Sequence, residues 1–171
     1  DLRFGPGGAM YICDWYNPIK GHAQYALRDP RRDRQSGRIW RVLPKGAKVQ
    51  KAPDFANASV KQLVGILKRP EYRYRYWAKR ELRDSDPKVV SKELDGFVKR
   101  LNPKDPRFRH HQVEAIWGYR NVGLVNAKLL LKVLNCDNHH ARAAATRQLR
   151  YWHGDLKNGD AELARRANDS N

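Results

Sequence analysis

The sequence lacks the features of a membrane-spanning chain and of a covalently attached cofactor. No run of apolar residues approaches the ~20 that a transmembrane helix requires. Only two cysteines occur, Cys13 and Cys136, and neither belongs to a CxxC or CxxCH motif, which excludes a haem bound through that motif within this chain. We expect each cysteine to be a small buried hydrophobic residue, and the pair leaves the redox compartment undecided.

Motifs for nucleotide binding and nucleophilic catalysis are also missing. There is no P-loop, no GxGxxG and no Ser/His/Asp order. The glycine-rich residues 5–8 precede a predicted strand, so they offer no helix N-terminus to a phosphate group. We therefore predict that this chain has no self-contained active site and is not catalytic by itself.

Acidic residues are scarce relative to basic ones. The 35 Lys and Arg outnumber the 18 Asp and Glu, and the net charge of +17 would attract a polyanion such as nucleic acid, anionic lipid or an acidic protein. The excess is spread along the chain, and only residues 68–83 are locally dense in positive charge. An apolar content of 40% predicts a folded chain rather than a disordered one.

Residues 1–43 have the pattern of antiparallel strands. The predicted strands end at Phe4 and span residues 9–15 and 38–43. A connection of 22 residues, 16–37, separates the last two, and loops of that length are usually functional or disordered. The chain begins at Asp1, without methionine, directly before a strand, and we expect it to be a piece of a longer protein.

Beyond a Pro-, Gly- and Lys-rich linker at residues 44–53, the apolar period changes from 2 to 3.6, and residues 54–171 are predicted to be helical. The predicted helices span about residues 59–68, 71–83, 87–101, 106–119, 124–134 and 138–152. These form three hairpins, and residues 160–167 begin a fourth. Each hairpin has an apolar face that needs a neighbour, which predicts a stacked array.

An internal repeat supports this array. Residues 63–82 and 130–149 align without a gap at an offset of 67. Half of this offset is about the period of helical-hairpin repeats, ~33 to 47 residues. The identical pairs are Leu63/Leu130, Leu67/Leu134, Arg75/Arg142, Ala78/Ala145, Arg80/Arg147 and Leu82/Leu149. A middle copy, with Ala115 as the small residue of its second helix, is expected between them.

The helical half resembles HEAT repeats, whose second helix carries a D-x-x-V-R-x-x-A-x-x-A-L pattern. Aligned on its arginine, the third copy follows the pattern at Ala141, Arg142, Ala145 and Leu149, and Asp137 stands one residue before the aspartate position. The first copy follows it at Tyr74, Arg75, Ala78 and Leu82, and Pro70 stands one residue before that position. The middle copy keeps Ala115 and has Gln112 at the arginine position. We interpret Arg75 and Arg142 as ladder residues that bond neighbouring repeats.

The front half resembles the last blade of a six-bladed propeller of the sugar and sorbosone dehydrogenase type. Residues 4–15 follow that family's F-G-P-D-G-x-L-Y-x-x-D-W segment and depart from it chiefly at Gly7 and Met10. The propeller segment followed by helical repeats is similar to the membrane-bound dehydrogenases of planctomycetes and verrucomicrobia, also called PVC-type haem-binding proteins. The fold expected is mixed and mostly α: a partial propeller blade followed by an α-solenoid of HEAT-like hairpins.

This resemblance implies a periplasmic, secreted or cell-envelope protein in which a propeller, a HEAT array and a cytochrome c domain follow one another. The expected role of this chain is a scaffold that joins a propeller, active in sugar or alcohol oxidation, to the downstream haem c. Related propellers bind a quinone and calcium, although no cofactor contact maps onto a residue here. The alternative is a basic HEAT module, without catalysis, that binds nucleic acid or an acidic protein.

Two groups of side chains are candidate sites. Asp14, His22, Asp29 and Arg38 would point toward the propeller channel. The plainer interpretation is that Asp14 caps a turn and Arg38 pairs with Asp29 or Asp33. The second group, an alternative basic binding surface, is Arg73, Lys79, Arg80 and Arg83, interleaved with Tyr and Trp. Helical periodicity favours a core position for these aromatics, including Tyr74 and Trp77, with the arginines at the rim.

Two histidine pairs begin successive second helices, His110-His111 and His139-His140. Adjacent helix residues face different directions, and a zinc site needs three or four converging ligands. We therefore predict solvated histidines and no metal site.

Overall fold

The computed structural model describes residues 1–5, 8–16 and 28–169. They confirm the prediction of a mixed, mostly helical chain with a short antiparallel sheet. The chain divides into two compact units, residues 1–52 and 53–171.

The first unit is a three-stranded antiparallel sheet in the order β1-β2-β3. Its strands are β1 (Leu2–Phe4), β2 (Met10–Asp14) and β3 (Arg38–Val42). The turn between β1 and β2 is closed by a hydrogen bond from the Gly5 amide to the Ala9 carbonyl, and Gly8 adopts a positive φ of 79° that glycine tolerates without strain. The register of β2 and β3 places Asp14 opposite Arg38.

The sheet has little core of its own. Every residue of β1 and β3 is exposed, including the apolar side chains of Phe4 (63%) and Ile39 (70%). Cys13 is exposed as well, so the prediction that it is buried was wrong. The burial of a strand residue depends on tertiary structure, because its side chain is covered only where a second layer packs on that face of the sheet.

The second unit contains seven α-helices among the described residues. They are α1 (Val60–Ile66), α2 (Tyr72–Arg83), α3 (Pro87–Lys99), α4 (Phe108–Asn121), α5 (Ala127–Leu134), α6 (His139–Trp152) and α7 (Gly159–Arg166). A short 3₁₀ turn, His153–Asp155, precedes α7. Four helices begin at a side chain that accepts a hydrogen bond from a first-turn amide, and three of these starts agree with the prediction, while α5 begins three residues later than predicted. The capping residues are Ser59, Asp86, Asn126 and Asn138.

The helices pack in a regular order. Helix α1 contacts α2 and α3, and α3 contacts α4, while α5 contacts α4 and α6. The helices α2, α4 and α6, here called the second helices, are successive neighbours, because α4 packs against both α2 and α6. Helix α6 in turn contacts α7.

A continuous apolar core lies between these helices. The leucines shared by the two aligned segments are buried, as are the small residues Ala78, Ala115 and Ala145. Burying a leucine side chain stabilises the folded state by about 1.5–3 kcal/mol relative to exposing it. At Gly118 of α4 a Cβ would lie 3.0 Å from Leu94 Cδ2 of α3, so the missing side chain permits this close approach. Cys136 is buried in this core, as predicted.

Candidate functional site

The arginine that recurs at the 67-residue offset makes the same backbone contacts in both copies. Its Nη1 donates to two carbonyl oxygens in the turn that precedes its helix. The acceptors are Arg69 (2.8 Å) and Pro70 (2.6 Å) for Arg75, and Cys136 (3.1 Å) and Asp137 (3.2 Å) for Arg142. These carbonyls are themselves 67 residues apart, so sequence repetition corresponds to repeated geometry.

Arg75 also joins α2 to α4 through a buried carboxylate. Its Nε donates to Glu114 Oε1 at 2.7 Å, and Lys79 Nζ donates to Glu114 Oε2 at 2.8 Å. Glu114 is 1% exposed. Two cations therefore contact one buried carboxylate. A carboxylate that is removed from water needs such an oppositely charged partner.

Lys79 does not lie on the predicted basic surface. Its side chain is 13% exposed because it reaches across to Glu114, and its ammonium lies 4.9 Å from the ring centroid of Trp117. The other three members of that set lie elsewhere on α2: Arg80 and Arg83 are exposed and Arg73 is half-buried.

Arg142 forms the corresponding contact beyond α6. Its Nε and Nη2 donate to the two carboxylate oxygens of Asp169, at 2.8 and 2.9 Å. The hydrogen bond to Asp169 raises the pKa of Arg142. Arg142 and Asp169 are less buried than Arg75 and Glu114, with side chains 15% and 19% exposed.

Gln112 occupies the arginine position of the middle copy and is buried. It accepts a hydrogen bond from Arg109, whose guanidinium also contacts Asp137 at 3.2 Å. The link from α4 to the turn before α6 therefore passes through a different arginine, Arg109, which the repeat pattern did not indicate.

The histidines at the start of α4 have contrasting surroundings. His111 is 3% exposed with Nε2 3.5 Å from Asp105 Oδ2, whereas His110 is half-buried with Nε2 3.5 Å from Glu114 Oε1. Burial lowers the pKa of both histidines, and the nearby Arg107 lowers it further. The prediction that they are solvated was wrong for His111, because it lies on the core side of α4.

His139 and His140 are exposed. Within the described part of the chain, no three His, Cys, Asp or Glu side chains are arranged to hold a metal ion.

The strand-end candidates are brought together only in part. Asp14 accepts hydrogen bonds from the Tyr16 amide and from Trp40 Nε1, both at 2.9 Å, and its Oδ2 lies 3.6 Å from Arg38 Nε. The Arg38 guanidinium also lies 4.0 Å from the ring centroid of Tyr16. The turn-capping role considered for Asp14 is therefore present, and Asp14 is the carboxylate that Arg38 contacts, because the two face each other in the sheet register.

Asp29 has a partner of its own. It accepts two side-chain hydrogen bonds from Arg31, at 3.1 and 2.8 Å, and these bonds lower the pKa of Asp29 to about 2. Asp33 accepts the amides of Gln35 and Ser36. His22, the fourth candidate, lies outside the described residues.

The aromatic residues of α2 divide between core and surface. Tyr74 is buried, as predicted, but Trp77 is 40% exposed, because the buried stripe passes through Tyr74, Ala78 and Leu82 and leaves Trp77 beside it. Tyr72 and Tyr76 are exposed as well, with stacked rings 6.3 Å apart. The Arg80 guanidinium lies 4.8 Å from the Trp77 ring centroid.

The exposed side chains of the second helices follow a common pattern. When the helices are aligned on their buried alanines, the positions two and five residues later carry basic or aromatic side chains. These are Arg80 and Arg83 on α2, Trp117 and Arg120 on α4, and Arg147 and Arg150 on α6. The five arginines are exposed and Trp117 is half-buried. We call these six side chains, together with Tyr151, the second-helix face.

No helix among the described residues is long and apolar enough to cross a membrane. Comparison with known proteins finds no matching family model, no matching curated protein and no matching solved structure.

Proposed function

We propose that this chain is the scaffold segment of a larger envelope protein of the propeller, HEAT array and cytochrome c type. In this proposal residues 54–171 are a HEAT-like solenoid and residues 1–43 are the closing blade of a propeller. The observation that carries it is the repeated arginine: Arg75 and Arg142 make equivalent turn contacts and each reaches a carboxylate beyond its own hairpin.

The exposed sheet supports the blade assignment. A three-stranded sheet needs a hydrophobic face or a covering layer to be stable alone. Here Phe4, Ile39 and Trp40 are at least half exposed. Apolar side chains in this setting are those that further strands and blades of a propeller would cover.

The parent protein would oxidise a sugar or alcohol in its propeller and pass electrons to haem c in the following domain. The solenoid would fix the distance between the propeller and the domain that holds haem c. Neither cysteine has the CxxCH surroundings that attach haem, so in this proposal haem c binds in another part of the parent. Among the described residues, the Asp14 carboxylate accepts a hydrogen bond from Trp40 and lies beside Arg38.

The full-length parent provides the test. We expect haem absorbance, oxidation of sugars or alcohols with an external dye as acceptor, and reduction of the haem by the same substrate. Absence of both haem and oxidation would overturn the proposal.

A variant that weakens the packing of the helices tests the scaffold role separately from the oxidation reaction. With Glu114→Gln in the parent, substrate-dependent reduction of the haem should slow while dye-linked oxidation is retained. The control is Asp84→Asn, since Asp84 forms only an exposed ion pair with Arg83. Equal haem reduction in both variants would contradict a spacing role.

A further inference from the structure

We infer that the second-helix face binds an acidic polypeptide segment that crosses α2, α4 and α6 in an extended conformation. This inference does not depend on the oxidation chemistry of the parent, because it rests on contacts within residues 53–171 alone.

Regular placement is the first argument. Arg83, Arg120 and Arg150 occupy the same position, five residues after the aligned alanine, in three helices that pack side by side. Each arginine lies in the last turn of its helix, where a cation also favours the helix dipole. The dipole accounts for these three arginines and for Arg80, which also lies in the last turn of α2, but not for Arg147, which lies one turn before Arg150 in α6.

Most arginines of the second-helix face also lack a carboxylate partner in the part of the chain that the structure describes. Among the described residues, no carboxylate lies within ion-pair distance of Arg80, Arg120, Arg147 or Arg150. Helix α6 carries no acidic residue, and the one on α4 is the buried Glu114. Arg83 pairs with the exposed Asp84 at 3.5 Å, and the other four guanidiniums attract an anionic partner and orient its approach.

Aromatic contacts favour carboxylates over nucleic-acid bases. The Tyr151 ring has the Arg120 guanidinium 3.9 Å and the Arg150 guanidinium 5.0 Å from its centroid, and Arg150 Nη2 donates to the Tyr151 hydroxyl at 2.9 Å. A guanidinium held against a ring keeps its in-plane donors for a carboxylate. Stacking of a base requires an open ring face, and here guanidiniums already lie against the ring.

A groove in the seam between α4 and α6 gives the partner a place for an apolar side chain. Its volume is about 440 Å³, and its apolar lining includes Val113, Trp117, Ala141 and Ala144. The basic side chains Arg107 and Arg109 line the same groove. This mixture suits a peptide that carries both carboxylates and an apolar residue.

The spacing of the helices sets the expected ligand. Packed helices lie about 8–10 Å apart, and an extended polypeptide in the polyproline II conformation rises about 3.1 Å per residue with three residues per turn, so that every third side chain faces the same way. About three residues of the ligand therefore span one helix to the next, so a glutamate at every third position would meet each arginine in turn.

The experiment uses two fluorescent peptides of identical composition. One has glutamate at every third position and a single leucine, and the other has the same glutamates clustered at one end. We expect the spaced peptide to bind the chain more tightly, and the triple variant Arg83→Gln, Arg120→Gln, Arg150→Gln to weaken it about tenfold. The matched control removes three charges from α3 through Lys88→Gln, Lys92→Gln and Lys99→Gln, and should change affinity less than about twofold.

Three results would overturn the inference. Equal binding of spaced and clustered peptides would show attraction by net charge alone. Equal weakening by the α3 control would show that the second-helix face is not the binding surface. Tighter binding of an oligodeoxythymidine than of the spaced peptide at the same ionic strength would assign the face to single-stranded nucleic acid. Circular dichroism of both triple variants checks that the helices remain folded.

Discussion

Arg75 of α2 and Glu114 of α4 form a buried ion pair with an Nε to Oε1 distance of 2.7 Å, and the same guanidinium closes the turn before α2. One side chain thus ties the turn before α2 to helix α4. Lys79 binds the other carboxylate oxygen of Glu114. The contact between the two helices therefore depends on the charges of Arg75, Lys79 and Glu114 together.

Removing the buried carboxylate should be costly. In Glu114→Gln the side chain keeps its shape but leaves Arg75 and Lys79 without a counter-charge. Loss of one partner from a buried pair typically costs about 3–5 kcal/mol. Urea denaturation should show this decrease in the free energy of unfolding. Asp84→Asn removes the exposed pair with Arg83 and should stay within about 1 kcal/mol of the parent sequence. Similar losses in both variants would contradict the assigned role of Glu114.

Lysine should not replace the recurrent arginine. A single ammonium cannot bond the turn carbonyls and the carboxylate at once, so Arg75→Lys leaves either the part-buried carbonyls or the buried Glu114 without this donor, which should cost about 1–3 kcal/mol. Arg142→Lys should cost less, because Asp169 is more exposed than Glu114. Thermal unfolding of the two variants checks the order, and the reverse order would disprove this explanation.

Acid should destabilise the helical unit through His110 and His111. Burial lowers the pKa of both in the folded state, against an unfolded value of about 6.5. The unfolded chain therefore binds more protons as the pH falls through that value, and the free energy of unfolding decreases.

The groups facing His111 are Asp105, which favours its protonation, and Arg107 and Lys68, which oppose it. His111→Gln should reduce the pH dependence of stability between about pH 7 and pH 5. His139→Gln at the exposed start of α6 is the control and should retain the dependence. Unfolding curves at the two pH values give the free energy of unfolding of each variant. An unchanged pH dependence in His111→Gln would show that His111 does not cause the loss of stability in acid.

The aligned alanines should not tolerate larger side chains. Ala145 is 1% exposed in α6, so Ala145→Leu overpacks the contact with its neighbours and should cost about 1–3 kcal/mol. Ala143→Leu, two residues earlier on the exposed side, should be nearly neutral. Equal melting temperatures for the two variants would show that α6 does not pack closely at Ala145.

Local signals predicted the elements well and the surfaces less well. Three helix starts were visible because Ser59, Asp86 and Asn138 cap them, whereas α5 begins after Asn126, three residues later than predicted. Core positions were visible because leucines recur at helical spacing. The core position predicted for Trp77 from the helical period was wrong, since a helix has room for an aromatic residue beside its buried stripe as well as on it.

The sequence pattern also did not predict which side chain each charged residue contacts. The sequence shows that Lys79 and Arg80 are basic, but not that one turns inward to a carboxylate 35 residues away while the other lies over an indole ring. Likewise Arg38 contacts Asp14 rather than Asp29, because strand register brings the first carboxylate opposite it and Arg31 occupies the second.

By itself, the sequence determined where helices and strands form and which recurrent arginine matters, since capping, periodicity and repetition act over short distances along the chain. Only the tertiary structure decided which charges are buried, which arginines remain without carboxylates and which aromatic rings they cover. Those outcomes depend on which helices become neighbours, and burial and ion pairing are properties of neighbours in space.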